Sequence, residues 1–222
     1  MADINSVLSR MRKAGKLQNM KDKGDAGEDA VLAVCYKRKQ LSGTGLLYQS
    51  YAYPYQTNRS GVCYTGNIVY KDNDLIEYTR DSINDEIDIL YITPYKIFPI
   101  EVKSYHSGSI DIYDHWFNKN HEPVEKSPVL QAEKHARHLY HLIYEYLPDG
   151  DPSYIKPIVC FVDRCTIHDD RAPHFQEYVP VCVLNNLMRT LNDYNTPGAY
   201  NLDLTAIDNK LNECKVSIRK TL

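Results

Sequence analysis

No two of the six cysteines (Cys35, Cys63, Cys160, Cys165, Cys182 and Cys214) stand at C-x-x-C spacing. That excludes a zinc ribbon and a dense disulfide frame, and reduced core thiols are expected. No apolar window approaches the ~18 residues of a membrane span, and the first 24 residues lack the apolar run of a secretory signal. No membrane contact is expected, and the cytoplasm is the expected compartment. The chain also lacks a basic excess: 26 Lys and Arg face 29 Asp and Glu, for a formal charge of −3. Capture of nucleic acid by bulk electrostatics is thereby excluded, and any such site must be local. Internal repeats and low-complexity segments are absent.

What is present suits a soluble globular chain. Hydrophobic residues make up 43% and charged residues 25% of 222 positions, enough for one good core or at most two small ones. The expected organisation is a basic arm over residues 1–24 and a single domain over 25–222. The arm carries Arg10, Arg12, Lys13, Lys16, Lys21 and Lys23, with Asp22 opposing them. It reads equally as a solvated arm and as a phosphate contact.

Helical and strand patterns alternate along the chain, which predicts a layered α/β domain. Residues 25–41 read as a helix with Asp25 at the N-cap, ended by Gly43 and Gly45. "LLYQSYAY" reads as a strand, residues 54–84 as short strands and loops, and "GSIDIYDHWF" as one strand. The strongest helix begins at Ser127 as N-cap with Pro128 at its first position, and Ala132, Ala136, Leu139, Ile143 and Leu147 form its apolar stripe. "IKPIVCFV" and "YVPVCVL" read as buried strands, with "NNLMRTLNDY" and "TAIDNKLNECKV" as closing helices.

"DEIDILYITPYKIFPIEVKSY", residues 85–105, reads as a hairpin that places two acids and a lysine among isoleucines and valines. An even turn centred between Pro94 and Tyr95 sets Ile89 against Ile100, Tyr91 against Phe98 and Ile87 against Val102, giving one apolar face. The same register sets Asp88 against Glu101, with Glu86 and Lys103 on their face. A one-residue slip would set acids against isoleucines, so the pattern favours the even turn. Opposed carboxylates about 5 Å apart at Cβ repel unless a cation joins them. Magnesium, held by one or two carboxylates, water and phosphate oxygens, is the natural cation. The plainer reading is a solvated ion-pair cluster. E-x-K spacing alone is cheap, since Asp208 to Lys210 and Glu213 to Lys215 repeat it.

"GDAGEDAV", "DEIDIL", "IEVKSYHSGSI", Trp116 and "SPVLQAEKHARHL", in that order, resemble the NERD (nuclease-related) domain family of the PD-(D/E)XK nuclease superfamily. The resemblance spans residues 24 to about 147. It implies a three-layer α/β/α restriction-endonuclease-like core with a mixed central sheet, and metal-dependent cleavage of phosphodiesters in DNA or RNA. It also implies site residues: Asp88 and Glu101 as metal-binding acids, Lys103 as their lysine, Glu28 as the acid of the first helix and Gln131 as the polar residue of the flanking helix. The implied cofactor is Mg²⁺, with Mn²⁺ as a substitute. Asp88 and Glu101 would hold it, joined by the Val102 carbonyl and by Glu28 through water or a second ion. Ser127 stands where the family usually has Asn, and residues 48–84 form a longer stretch than usual; both bear on substrate fit.

Several of these residues also have a purely structural reading. Asp25 to Glu28 has capping-box spacing. Gln131, His135 and His138 share a helix face beside the apolar stripe, and the histidines read as solvated groups or as neighbours of the site, not as metal ligands. Glu86 reads as structural support, Trp116 as core, and the nineteen tyrosines as packing groups. The alternatives to a nuclease are a nucleic-acid-binding domain of the same fold without efficient cleavage, and a structural or interaction protein. A homodimer or a protein partner could help such an acidic chain hold its substrate.

Overall fold

The computed structural model describes residues 26–53, 56–57, 63–64, 70–71, 74–75, 85–104, 107–124, 127–162 and 166–214. The basic arm and Asp25 lie outside the described residues. So does most of the stretch 54–84, where only two short ladders, Gln56–Thr57 with Cys63–Tyr64 and Tyr70–Lys71 with Asp74–Leu75, are described.

Helix α1 covers residues 26–42. Gly43 ends it at φ 73°, with its amide 2.9 Å from the Lys39 carbonyl, a left-handed stop that glycine adopts without a Cβ penalty. Strand β1 (Leu46–Tyr53) follows, and then the hairpin of β2 (Asp85–Ile92) and β3 (Ile97–Lys103). Thr93 closes that turn: its amide donates to the Lys96 carbonyl, and its hydroxyl accepts from the amides of Tyr95 and Lys96. The register is the expected one, with Ile89 on Ile100, Tyr91 on Phe98 and Ile92 on Ile97.

Strands β4 (Ser107–Ile110) and β5 (Trp116–Asn118) correct the expectation of a single strand here. The segment between them turns because the Asp111 carboxylate accepts from the amides of Tyr113 and His115, and Asp114 takes φ 63°. Asp at such positions favours a turn over an extended run. Helix α2 (Pro128–Ile143) starts as expected, with the Ser127 hydroxyl accepting from the Leu130 amide. Beyond it come β6 (Ile158–Phe161), β7 (Thr166–Asp169), α3 (Pro173–Tyr178), β8 (Val181–Val183), α4 (Leu184–Tyr194) and α5 (Leu204–Cys214).

The main sheet has the order β1-β2-β3-β6-β8. Its first three strands are antiparallel neighbours, and β6 runs parallel to both β3 and β8, so the sheet is mixed. Helices cover both faces. On one, Ala136, Leu139 and Ile143 of α2 and Ile207 and Leu211 of α5 pack on Tyr51, Tyr53, Leu90, Ile92 and Ile97. On the other, Val31 and Cys35 of α1 and Leu187 and Leu191 of α4 pack on Ile89, Tyr91, Phe98, Ile100 and Val102. This is the three-layer α/β/α arrangement with a mixed central sheet. A second sheet, β7-β4-β5, adjoins it. There Trp116 is buried as expected, stacked on Phe161 of β6 at 4.9 Å between ring centroids.

One expectation about the hairpin fails. Ile87 does not share a face with Ile89 and Val102; it packs with Leu90 and Ile92 under α2 and α5. The face expected to be acidic is therefore largely apolar, because a sheet covered by helices on both sides needs hydrophobic residues on both.

Leu139 is fully buried beneath the sheet while Leu130, on the same helix, is exposed. Leu139→Ala is expected to cost about 2–5 kcal/mol in urea unfolding, and Leu130→Ala less than about 0.5 kcal/mol. Equal losses would contradict this packing.

Candidate active site

The parting of two strands builds the site. β2 and β3 pair from Ile89 with Ile100 to Ile92 with Ile97, and Asp88 and Glu101, next in register, stand beyond the ladder. They lie outside the hydrogen-bonded ladder, one step past the Ile89 and Ile100 pair in the expected register. The Asp88 side chain takes the place of the missing strand contact: its Oδ2 accepts from the Val102 amide at 2.7 Å. Within a strand the N–H and C=O of one residue point to the same side, so the Val102 carbonyl is directed toward the same gap.

β1 adapts at the same level. Its register with β2 skips the pair Ser50 and Asp88, and Ser50 takes φ 48°. In β1 the residues packed under α2 and α5 change from Leu46 and Tyr48 to Tyr51 and Tyr53; in β2 they change from Ile92 and Leu90 to Ile87. Both strands thus shift their side-chain alternation at one level, as strands do at bulge-like irregularities. The Ser50 hydroxyl lies 3.3 Å from Glu28 Oε2 and donates to it, tying the first turn of α1 to this point. Gly27 suits the close approach of α1 to the end of β3, since a Cβ there would lie a tight 3.0 Å from Val162 Cγ2.

Glu101 is 1% exposed, which contradicts the reading of a solvated ion-pair cluster. Its Oε1 accepts from the Lys103 ammonium, which also reaches Gln131 Oε1 at 3.3 Å. Its Oε2 lies 3.2 Å from His135 Nδ1, yet the two are not aligned as a hydrogen bond, so Oε2 is a buried acceptor without one. His135 and His138 are both buried, which corrects the solvated branch of the expectation for them. Glu86 is exposed at the start of β2.

The electrostatics fit a crowded acidic centre. The Asp88 pKa is raised to about 7, first by burial and then by the Glu101 carboxylate, with Glu28 adding to the rise; the Val102 amide and Lys103 oppose it. Among the described residues no three His, Cys, Asp or Glu side chains form a ready cage for a metal. The donors brought together are nevertheless suited to a hard divalent ion, which takes oxygen ligands and keeps several waters. The unsatisfied Glu101 oxygen and the raised Asp88 pKa are both relieved by added positive charge.

The structure thus gathers Asp88, Glu101, Val102, Lys103 and Gln131, with Glu28 near Asp88. Whether Glu28 also closes a capping box involves Asp25, outside the described residues. His135 is the neighbour that sequence reasoning placed only loosely. Its position four residues after Gln131, one helical turn along the same face, was the available signal. Gly27 carried no signal, because its role depends on how closely α1 lies to β3.

A family model for the nuclease-related domain (NERD) matches residues 23–162. That is well over half of the 222 residues and takes in every residue gathered here, and the chain belongs to the nuclease-related domain family. Searches of curated proteins and of solved structures find no match. Strand β8 and helices α4 and α5 lie beyond the matched region, yet they complete the sheet and both helical layers. Among the described residues no helix is long and apolar enough to cross a membrane.

The raised Asp88 pKa has a stability consequence in the metal-free protein. The folded state holds the proton more tightly than the unfolded chain, so stability present below about pH 4 is lost as pH rises toward about 7. Asp88→Asn keeps an acceptor for the Val102 amide and removes the charge. At pH 8 without divalent ions it is expected to gain about 1–3 kcal/mol over wild type, and the gain should shrink toward pH 4. Denaturant titrations across that range check this; a variant no more stable than wild type at pH 8 would contradict it.

Proposed function

We propose that this protein is a metal-dependent nuclease that hydrolyses phosphodiester bonds of DNA or RNA, using Mg²⁺ with Mn²⁺ as a substitute. The observation that carries the reading is the buried Glu101 oxygen left without a hydrogen bond, beside an aspartate whose pKa burial and a second carboxylate raise to about 7. A folded protein rarely keeps such a pair without a use for it. Membership of the nuclease-related domain family supports the same reading.

Asp88 and Glu101 would hold the ion, with the Val102 carbonyl completing the protein donors and Glu28 acting through water or a second ion. Bound there, Mg²⁺ supplies Lewis-acid stabilisation of the charge that develops on the phosphate and favours ionisation of the attacking water. Lys103 contributes through position and charge. Its ammonium is steered by Glu101 and Gln131, and it would orient the attacking water or neutralise a phosphate oxygen. Water adds to phosphorus, the bond to one ribose or deoxyribose oxygen breaks, and that oxygen takes up a proton. Asp88 does two jobs, since the oxygen that secures the Val102 amide also fixes the direction of its carboxylate.

The test is incubation of purified protein with single- and double-stranded DNA and RNA in Mg²⁺, Mn²⁺ or EDTA. Cleavage is expected with either ion and is lost in EDTA. Lys103→Ala is expected to lower the rate by about 100-fold or more, in the range seen when one preorganised electrostatic group is removed, while Mn²⁺ binding by calorimetry persists. Asp88→Ala should lose both cleavage and metal binding. Cleavage that survives EDTA or the Asp88→Ala change would refute the mechanism. Binding to nucleic acid without cleavage under every condition would instead mark a binding domain of the same fold.

A further inference from the structure

Two thiols meet inside the sheet beside this site. Cys160 of β6 and Cys182 of β8 are register partners on parallel strands, and Cys160 is also the register partner of Val102 on β3. All three side chains pack under α1 and α4, so they form one row across the sheet. Neighbouring strands lie about 4.8 Å apart, within the ~4.4–6.8 Å between Cα atoms that a disulfide spans. The two buried thiols are close enough for Cys160 to act electrostatically on Cys182, and Thr190 acts on Cys182 as well.

Cys182 is set apart by access and environment. It borders an open cavity of about 360 Å³ that Asn186, Arg189 and Thr190 also line. Cys160 lowers the Cys182 pKa against the opposing effect of burial, and Thr190 adds to the lowering. Cys35 of α1 sits close enough to feel the charge of Cys182, but burial pushes its own thiol up to about 12, which keeps it protonated and unreactive.

We propose that Cys160 and Cys182 form an oxidisable pair that a hydroperoxide closes into a disulfide, with Cys182 as the attacking sulfur. Cys182 attacks one peroxide oxygen and the O–O bond breaks. The sulfur becomes a sulfenic acid, and the departing oxygen leaves as water with the thiol proton. The Cys160 sulfur then attacks the sulfenic sulfur, the S–S bond forms and the S–O bond breaks. The hydroxyl leaves as water with the Cys160 proton. In total two thiols lose two electrons and two protons, and hydrogen peroxide becomes two waters. A bridge confined between two hydrogen-bonded strands cannot relax freely, so a dithiol reductant should reopen it. The proposal concerns the covalent state of the sheet and stands apart from the nuclease reading.

The test treats the reduced full chain with hydrogen peroxide, blocks remaining thiols with N-ethylmaleimide under denaturing conditions, and maps the peptides by mass spectrometry. A Cys160 peptide linked to the Cys182 peptide and lighter by two hydrogens is expected, lost after dithiothreitol and still formed in Cys35→Ser. Cys182→Ser should abolish it; where that variant does not fold, as judged by circular dichroism, the wild-type map decides. Full alkylation of both cysteines after peroxide, a link through Cys35, or oxidation of Cys182 that stops at the sulfinic acid would each overturn the proposal.

Discussion

At Val102 a side chain replaces a strand. The β2–β3 ladder ends one pair short of the two acids, and Asp88 satisfies the amide that the ladder leaves behind. A buried amide without a partner is costly, so the aspartate is fixed by the backbone's own requirement. From that single bond follow the direction of the Asp88 carboxylate, the gap into which the Val102 carbonyl points, and the nearness of Glu101 that helps raise the Asp88 pKa.

The surrounding layers hold this arrangement in place from three sides. α1 comes close through Gly27 and delivers Glu28 by way of Ser50. α2, set by its Ser127 cap, brings Gln131 and His135 over β3, where they meet Lys103 and Glu101. β6 closes the other edge of β3, pairing Val159 with Glu101 and Phe161 with Lys103. Asp88 and Glu101 therefore rest on strands, and a capped helix supplies their neighbours Gln131 and His135, as preorganised chemistry requires. Fold stability is given up locally for the site, since a core of this kind would be more stable with uncharged residues at these positions.

Much of this was legible in the residues. The turn at Thr93 to Lys96 and the register of Ile89 with Ile100 followed from the apolar alternation alone, because slipping it would set acids against isoleucines. The helix from Pro128 was marked by its cap, its proline and its apolar stripe. The alternation shift that moves Ile87 to the other face was not legible, because it depends on a backbone irregularity shared by Ser50 and Asp88 on strands far apart in sequence. The break inside "GSIDIYDHWF" lay in Asp111 and Asp114, whose turn-forming chemistry was outweighed in the reading by the surrounding β-formers. β7 and α3 carry too few apolar residues to announce themselves. The burial of His135 and His138 could not be read from the helix face alone, because it depends on which elements that face lies against.

The central claim is that Asp88 and Glu101 converge on one divalent ion. Anomalous diffraction from crystals soaked in Mn²⁺ measures it directly. The account predicts one strong peak within about 2.0–2.3 Å of a carboxylate oxygen from each residue, the spacing of oxygen ligands to such ions. A soaked crystal in which manganese binds elsewhere, or contacts only one of the two acids, would contradict it.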